Sequence, residues 1–142
     1  MNPNRTYEEN MAALKKVLTQ RTYTALSHRN IEFVLKYQNA TTQELAAYLR
    51  RQQAELRHIP GRTEIIGGDF IELRFRGWVN ALEAIGVSRE LAAKRSTPEL
   101  EKTMLFQQEY ERQREQDILE KRQKKAANKE KMRQEKAERK AK

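Results

Sequence analysis

The sequence predicts an all-α protein, in which a small helical domain with a helix-turn-helix-like element precedes a long charged C-terminal helix. Three observations predict this. Apolar residues in the first half recur at spacings of three and four. Capping residues, Gly and Pro divide that half into helix-length segments. After Pro98, no Gly or Pro interrupts a run dominated by Glu, Lys, Arg, Gln and Ala. We divide the chain into a helical domain, residues 1–95, and a long charged helix or basic tail, residues 96–142, which we expect to be partly disordered.

The composition favours a polyanionic partner. The chain has 142 residues, enough for one domain, and its formal net charge is +9. It contains no Cys, which excludes disulfides and thiolate metal sites and suits a reducing compartment. No apolar run approaches the roughly 20 residues of a membrane span, and no signal peptide is recognisable. We therefore expect a cytoplasmic protein with no membrane partner.

The first forty residues predict two helices. Asn4 or Thr6 caps a helix that runs to about Gln20. A second helix follows over about Tyr23 to Gln38, although the apolar segment from Ile31 to Leu35 would also fit a short strand. The apolar stripe of the first helix consists of Met11, Leu14, Val17 and Leu18.

A third helix is predicted from Thr41 onward. Thr41 followed three residues later by Glu44 forms a capping-box pattern, and the helix runs to about Leu56. One side of this helix carries Leu45, Tyr48, Leu49, Gln52 and Leu56. Its other side carries basic residues that would either bind phosphate or form a solvated face: Arg50, Arg51 and Arg57.

Two short helices are predicted between residues 60 and 87. Pro60-Gly61 ends the preceding helix, and Gly67-Gly68-Asp69 begins the next, with Asp69 as its cap. Another helix runs over about Gly77 to Ile85 and ends at Gly86. We expect the first of the two to pack through Phe70, Ile71, Leu73 and Phe75. We expect the second to place Val79, Leu82 and Ile85 inward.

These residues carry a family resemblance. The matching positions are Pro60, Phe70, Ile71, Arg74, Phe75, Trp78, Ala81, Leu82 and Gly86. The pattern over residues 41–87 resembles the homing endonuclease-associated repeat, a small helical DNA-binding module of phage and mobile-element proteins. It departs from that pattern at Gly61, Arg76, Gly77 and Ile85. The resemblance implies a DNA-recognition module without a cutting domain.

Basic side chains around the first short helix are candidate nucleic-acid ligands. A helix of this size fits a major groove, and a guanidinium group matches both phosphate and guanine. We expect Arg74 to lie away from the core. The alternative is that the arginines are solvated or paired with Glu64 and Glu72. The candidates in this region are Arg62, Thr63, Arg74 and Arg76.

The tail holds most of the excess charge. Ser88 is expected to cap a short helix that ends near Lys94, and Thr97 with Pro98 to begin the long helix. From Ile118 to Lys142 there are 11 basic and 4 acidic residues, so this segment carries +7 of the total +9. Such a segment is typical of a sequence-independent phosphate clamp. Its candidate ligands are Lys121, Arg122, Lys124, Lys125, Lys129, Lys131 and Arg133.

No catalytic constellation is recognisable: His28 and His58 lie on different segments, and we expect no metal, cofactor or enzymatic activity. The sequence therefore indicates a nucleic-acid-binding accessory or regulatory protein of phage or mobile-element origin, with DNA preferred to RNA. The alternative is a protein-binding inhibitor or adaptor that targets a host nucleic-acid enzyme or ribonucleoprotein, for example an anti-CRISPR-type inhibitor. A third possibility is a helical spacer. The oligomeric state is not predicted.

Overall fold

The computed structural model describes residues 6–141, and all regular secondary structure in that range is helical. The all-α prediction is therefore confirmed, as is a long C-terminal helix. The helices are α1 (Tyr7–Tyr37), α2 (Thr42–Leu56), α3 (Gly68–Phe75), α4 (Trp78–Ala84), α5 (Arg89–Lys94) and α6 (Met104–Ala141). Short 3-10 turns lie at Arg62–Glu64 and Leu100–Lys102. Among the helices of this range, none combines the length and apolar content needed to cross a membrane.

One continuous helix, α1, replaces the two helices predicted for the first forty residues. Thr6 caps it, since its hydroxyl oxygen accepts a hydrogen bond from the Glu9 N–H at 3.2 Å. The proposed cap Asn4 lies outside the described residues. No Gly or Pro breaks the chain near the expected boundary, and the Thr22 hydroxyl donates to the Leu18 carbonyl at 2.7 Å. Because this buried hydroxyl is satisfied inside the helix, it does not end the helix. The alternative of a strand from Ile31 to Leu35 is also wrong.

The core forms where the second half of α1 meets α2, α3, α4 and α5. The Thr41 hydroxyl oxygen accepts from the Glu44 N–H at 3.1 Å, so α2 begins as predicted. The expected packing of Leu73 is wrong: its side chain is 75% exposed, because this two-turn helix buries the opposite side. Phe75 and Trp78 do lie in one cluster, as expected. The fully buried members of that cluster are Leu45, Leu49, Ile71, Ala81 and Leu82.

The start of α3 depends on close backbone packing. Gly67 caps this helix with a φ of +82°, and its N–H donates to the Asn30 side-chain oxygen at 2.7 Å. A Cβ on Gly68 would lie 1.9 Å from the carbonyl oxygen of Arg62, so this position has no room for a side chain. The prediction that Asp69 caps the helix is wrong. Its carboxylate lies 3.4 Å from the Arg62 guanidinium instead.

The long helix begins later than predicted. The Ser88 cap of α5 is confirmed, as its hydroxyl oxygen accepts from the Leu91 N–H at 3.3 Å. The start at Thr97 and Pro98 is wrong, because a 3-10 turn intervenes and Thr103 caps α6. The Pro98 carbonyl accepts a hydrogen bond from the Thr63 hydroxyl at 2.6 Å, which holds the segment before α6 against the domain.

Helix α6 has two halves with different surroundings. The packed half, residues 104–120, lies against α1, where the Phe106 and Tyr23 rings are 5.3 Å apart and Arg21 lies 3.5 Å from Asp117. In the projecting half, residues 121–141, every residue is exposed. At 1.5 Å per residue these 21 residues extend about 30 Å. The tail is thus a continuous helix that leaves the body of the protein.

Candidate nucleic-acid interface

The arginines nearest to α3 are held by the protein itself. Arg62 lies 3.4 Å from both Asp69 and Glu72. Arg74 donates to the Ala40 carbonyl at 2.5 Å, and its guanidinium lies 5.6 Å from the centre of the Phe70 ring. The prediction that Arg74 lies away from the core is therefore wrong. The last turn of α3 faces the connection between α1 and α2, where the Ala40 carbonyl lies outside both helices and accepts the hydrogen bond.

The other candidates in the domain are dispersed over several elements. Arg50 donates to the Ala84 carbonyl at 3.1 Å, at the C-terminal end of α4, where a positive charge is favourable. Thr63 is engaged with Pro98, as described above. Three candidates are exposed and form no ion pair within residues 6–141, and they lie on α2, at the end of α2 and at the end of α3: Arg51, Arg57 and Arg76.

The Glu64 carboxylate, whose side chain is 9% exposed, organises the loop between α2 and α3, although the sequence analysis named it only as an alternative partner for the arginines. Glu64 accepts hydrogen bonds from the Gly61 N–H at 2.8 Å and pairs with His58 at 2.7 Å. It also pairs with Arg95, whose Nε donates to the Ile59 carbonyl at 2.8 Å. Burial acts to raise the pKa of Glu64, but these three partners outweigh it and hold the pKa below its ordinary value. The cluster is therefore a structural clamp between this loop and α5.

A sequence signal for this clamp does exist. Glu64 follows Gly61 by three residues, which is the spacing at which a carboxylate reaches back to a backbone N–H in a capping box. The same loop is fixed from the other side, as the Trp78 indole N–H donates to the Pro60 carbonyl at 3.0 Å. The residues around Pro60 that matched the family pattern therefore hold the loop in place.

The candidates of the tail are brought together on one helix. Lys121 lies 3.0 Å from Asp117. From Arg122 to Lys140 the basic side chains form no ion pair within the described part of the chain. The projecting half contains 10 basic and 3 acidic residues, all exposed. The residues of this half that are predicted to bind nucleic acid are Lys121, Arg122, Lys124, Lys125, Lys129, Lys131 and Arg133.

A cleft of about 560 Å³ lies between α1, α2 and α6. Its walls include the rings of Phe33, Tyr37 and Tyr48, and its charged residues are of both signs. The Tyr48 hydroxyl donates to the Ile66 carbonyl at 2.7 Å, and burial raises its pKa to about 12. The hydroxyl therefore stays protonated and fixes the loop before α3.

Comparisons of the chain with protein-family models, with curated proteins and with solved structures find no match. The resemblance of residues 41–87 to the homing endonuclease-associated repeat therefore stays a prediction. The structure shows two features of this region: Phe75 and Trp78 share one core, and Arg76-Gly77 joins two short helices.

Proposed function

We propose that this protein binds nucleic acid through the projecting half of α6, independently of base sequence, while the helical domain serves as its platform. One observation supports this most: 21 consecutive exposed residues hold 10 basic and 3 acidic side chains on a single helix. Such a helix neutralises phosphates and releases counterions, which is the main source of sequence-independent affinity. The proposal includes an accessory or regulatory role in the cytoplasm, and DNA as the preferred ligand.

The surface of α3 supports this division of roles. Its exposed side presents Asp69, which is 86% exposed, together with Leu73 and Arg76. A carboxylate and an apolar side chain on this side oppose phosphate binding, and Arg62 and Arg74 are engaged within the protein. We therefore propose that α3 belongs to the supporting domain and that α6 binds the nucleic acid.

The test is a titration of labelled duplex DNA, followed by fluorescence anisotropy at several salt concentrations. In one variant, four lysines of the projecting half become glutamine: Lys124→Gln, Lys125→Gln, Lys129→Gln and Lys131→Gln. In the matched control, four exposed lysines elsewhere are changed, with the same loss of charge: Lys15→Gln, Lys16→Gln, Lys94→Gln and Lys102→Gln.

We expect the tail variant to weaken binding by about tenfold or more at low salt and to reduce the salt dependence, because phosphate contacts are lost. The control should lose less than about threefold. If both variants lose the same affinity, net charge rather than the projecting helix drives binding. If the unmodified protein binds no duplex at low salt, the proposed function is wrong.

A second candidate function, a protein-binding adaptor or inhibitor, is favoured by an exposed apolar surface. Ile31, Val34 and Leu35 on α1 are 56%, 37% and 62% exposed. Their spacing of three and four places them on one side of the helix. Capture from cell extract with and without nuclease separates the two functions. A complex that survives nuclease and is lost on Leu35→Ser would favour the adaptor.

A further inference from the structure

We infer that the projecting half of α6 binds B-form duplex DNA with one face only, an inference that depends on the proposed function. Six basic residues follow one another at spacings of four, four, four, three and four: Lys121, Lys125, Lys129, Arg133, Lys136 and Lys140. In a helix of 3.6 residues per turn, these spacings keep all six within about 120° of the circumference. We call this set the basic stripe.

The composition of the other faces makes the stripe one-sided. All three acidic residues of the projecting half, Glu130, Glu135 and Glu138, fall outside the 120° sector. So do two lysines, Lys124 and Lys131. Two arginines, Arg122 and Arg139, fall inside the sector. The stripe is therefore free of carboxylates, although the segment as a whole is not.

The stripe is also turned away from the body of the protein. Eighteen residues make five helical turns, so Lys124 continues the side of Phe106, and Lys131 continues the side of Gln113. Phe106 is buried against α1, and Gln113 lines the same contact. The centre of the stripe lies about 130° away from that side, so the helical domain does not obstruct a ligand that lies along the middle of the stripe.

The dimensions and chemistry of the stripe favour B-form DNA. The major groove of B-DNA is about 12 Å wide and admits an α-helix, whereas that of A-form RNA is too narrow and deep. The projecting half contains no aromatic residue on which single-stranded bases would stack. The sector contains Lys and Arg but no Asn or Gln. We therefore expect its side chains to contact phosphates more than base edges. Six to eight contacts, one for each basic residue in the sector, predict a salt slope of about −5 to −7 in log K against log salt.

The sharpest test compares two pairs of substitutions in the same segment with the same change of charge. Lys125→Gln with Lys129→Gln removes two stripe residues, and Lys124→Gln with Lys131→Gln removes the two lysines outside it. On duplex DNA, the stripe pair should reduce the salt slope by about two and weaken binding about tenfold, whereas the outer pair should weaken it less than about twofold.

The outcomes separate the two proposals. Equal losses from both pairs would overturn the stripe while leaving sequence-independent binding through α6 intact. Absence of any binding by the unmodified protein would overturn the proposed function itself. Duplex RNA or single-stranded DNA bound as tightly as duplex DNA would overturn the assignment to the B-form duplex.

A second variant tests the helix without changing a charge. Ala127 lies outside the stripe, and Ala127→Pro breaks the helix there, so that Lys121 and Lys125 no longer share a face with the residues from Lys129 onward. Ala127→Gln is the control that keeps the helix. We expect Ala127→Pro to weaken duplex binding about tenfold and the control to leave it unchanged. Affinity unchanged in both variants would overturn the inference.

Discussion

Basic side chains serve different purposes in the helical domain and in the projecting half of α6. Between residues 41 and 95 there are eight Arg and one Lys, and several of these arginines donate to acceptors within the protein. The projecting half has three Arg and seven Lys, all exposed. The planar fork of Arg suits fixed acceptors, whereas Lys is a mobile point charge. A positive charge in the sequence therefore indicates a ligand site only where the fold leaves it without an internal acceptor.

The strongest test of this comparison is one substitution in each region. Arg95→Gln should lower the free energy of unfolding by about 3 kcal/mol, because it leaves the buried Glu64 without a guanidinium partner and frees the Ile59 carbonyl. Arg133→Gln should change it by less than about 0.5 kcal/mol, since this exposed side chain forms no hydrogen bond or ion pair within the described chain. Urea unfolding followed by circular dichroism measures both. Similar losses in the two variants would contradict the comparison.

A second pair tests the two arginines at the end of α3. Arg74→Gln should cost about 2 kcal/mol, because it removes the hydrogen bond to the Ala40 carbonyl and the contact with the Phe70 ring. Arg76→Gln, two residues away and exposed, should cost less than about 0.5 kcal/mol. Neither should alter duplex binding by more than about twofold. A selective loss of binding in Arg74→Gln with stability unchanged would restore Arg74 as a DNA contact.

Three helix ends could be predicted because their signals are local. The pair Thr41 and Glu44 begins α2, Ser88 begins α5, and Gly86 follows the end of α4, all as predicted. Each of these signals acts within three or four residues of its own position. The length of α1 was underestimated because the apolar stripe of its first half stops at Leu18. The segment from Gln20 to Tyr23 contains no Gly or Pro, so the helix continues through it. The start of α6 was misplaced because Thr97 and Thr103 both precede suitable first turns.

The directions of the arginines could not be predicted, because their partners are distant in the sequence. Arg74 contacts a carbonyl 34 residues earlier, and Arg95 reaches a carboxylate 31 residues earlier. Leu73 fits an apolar spacing in the sequence, yet only the packing of α3 decides that it is exposed. The tail was easier to predict, since residues 121–141 are all exposed and retain the character that their composition gives them.

The clamp at Glu64 predicts a loss of stability in acid. Its pKa in the folded protein lies below the ordinary 4.5, so its stabilising contribution is complete above about pH 4.5 and is lost as the pH falls through the folded pKa. Urea midpoints between pH 7 and pH 3 should therefore fall less steeply in Glu64→Gln than in the unmodified protein. The control is Glu83→Gln, whose exposed pair with Arg89 at 2.8 Å should leave the slope unchanged. Parallel slopes in all three proteins would contradict the clamp.

The smallest effect is expected where the two regions meet, at Arg21. Its guanidinium lies 3.5 Å from Asp117 and 3.4 Å from Glu120, in the last turns of the packed half of α6. Because Arg21 and Glu120 are partly exposed, Arg21→Gln should cost about 0.5 kcal/mol, and less at high salt. Hydrogen exchange should then accelerate from residue 113 onward while remaining slow near Phe106. Exchange already fast at residues 113–120 in the unmodified protein would show that the projecting half begins earlier, and that Asp117 contributes nothing to holding it.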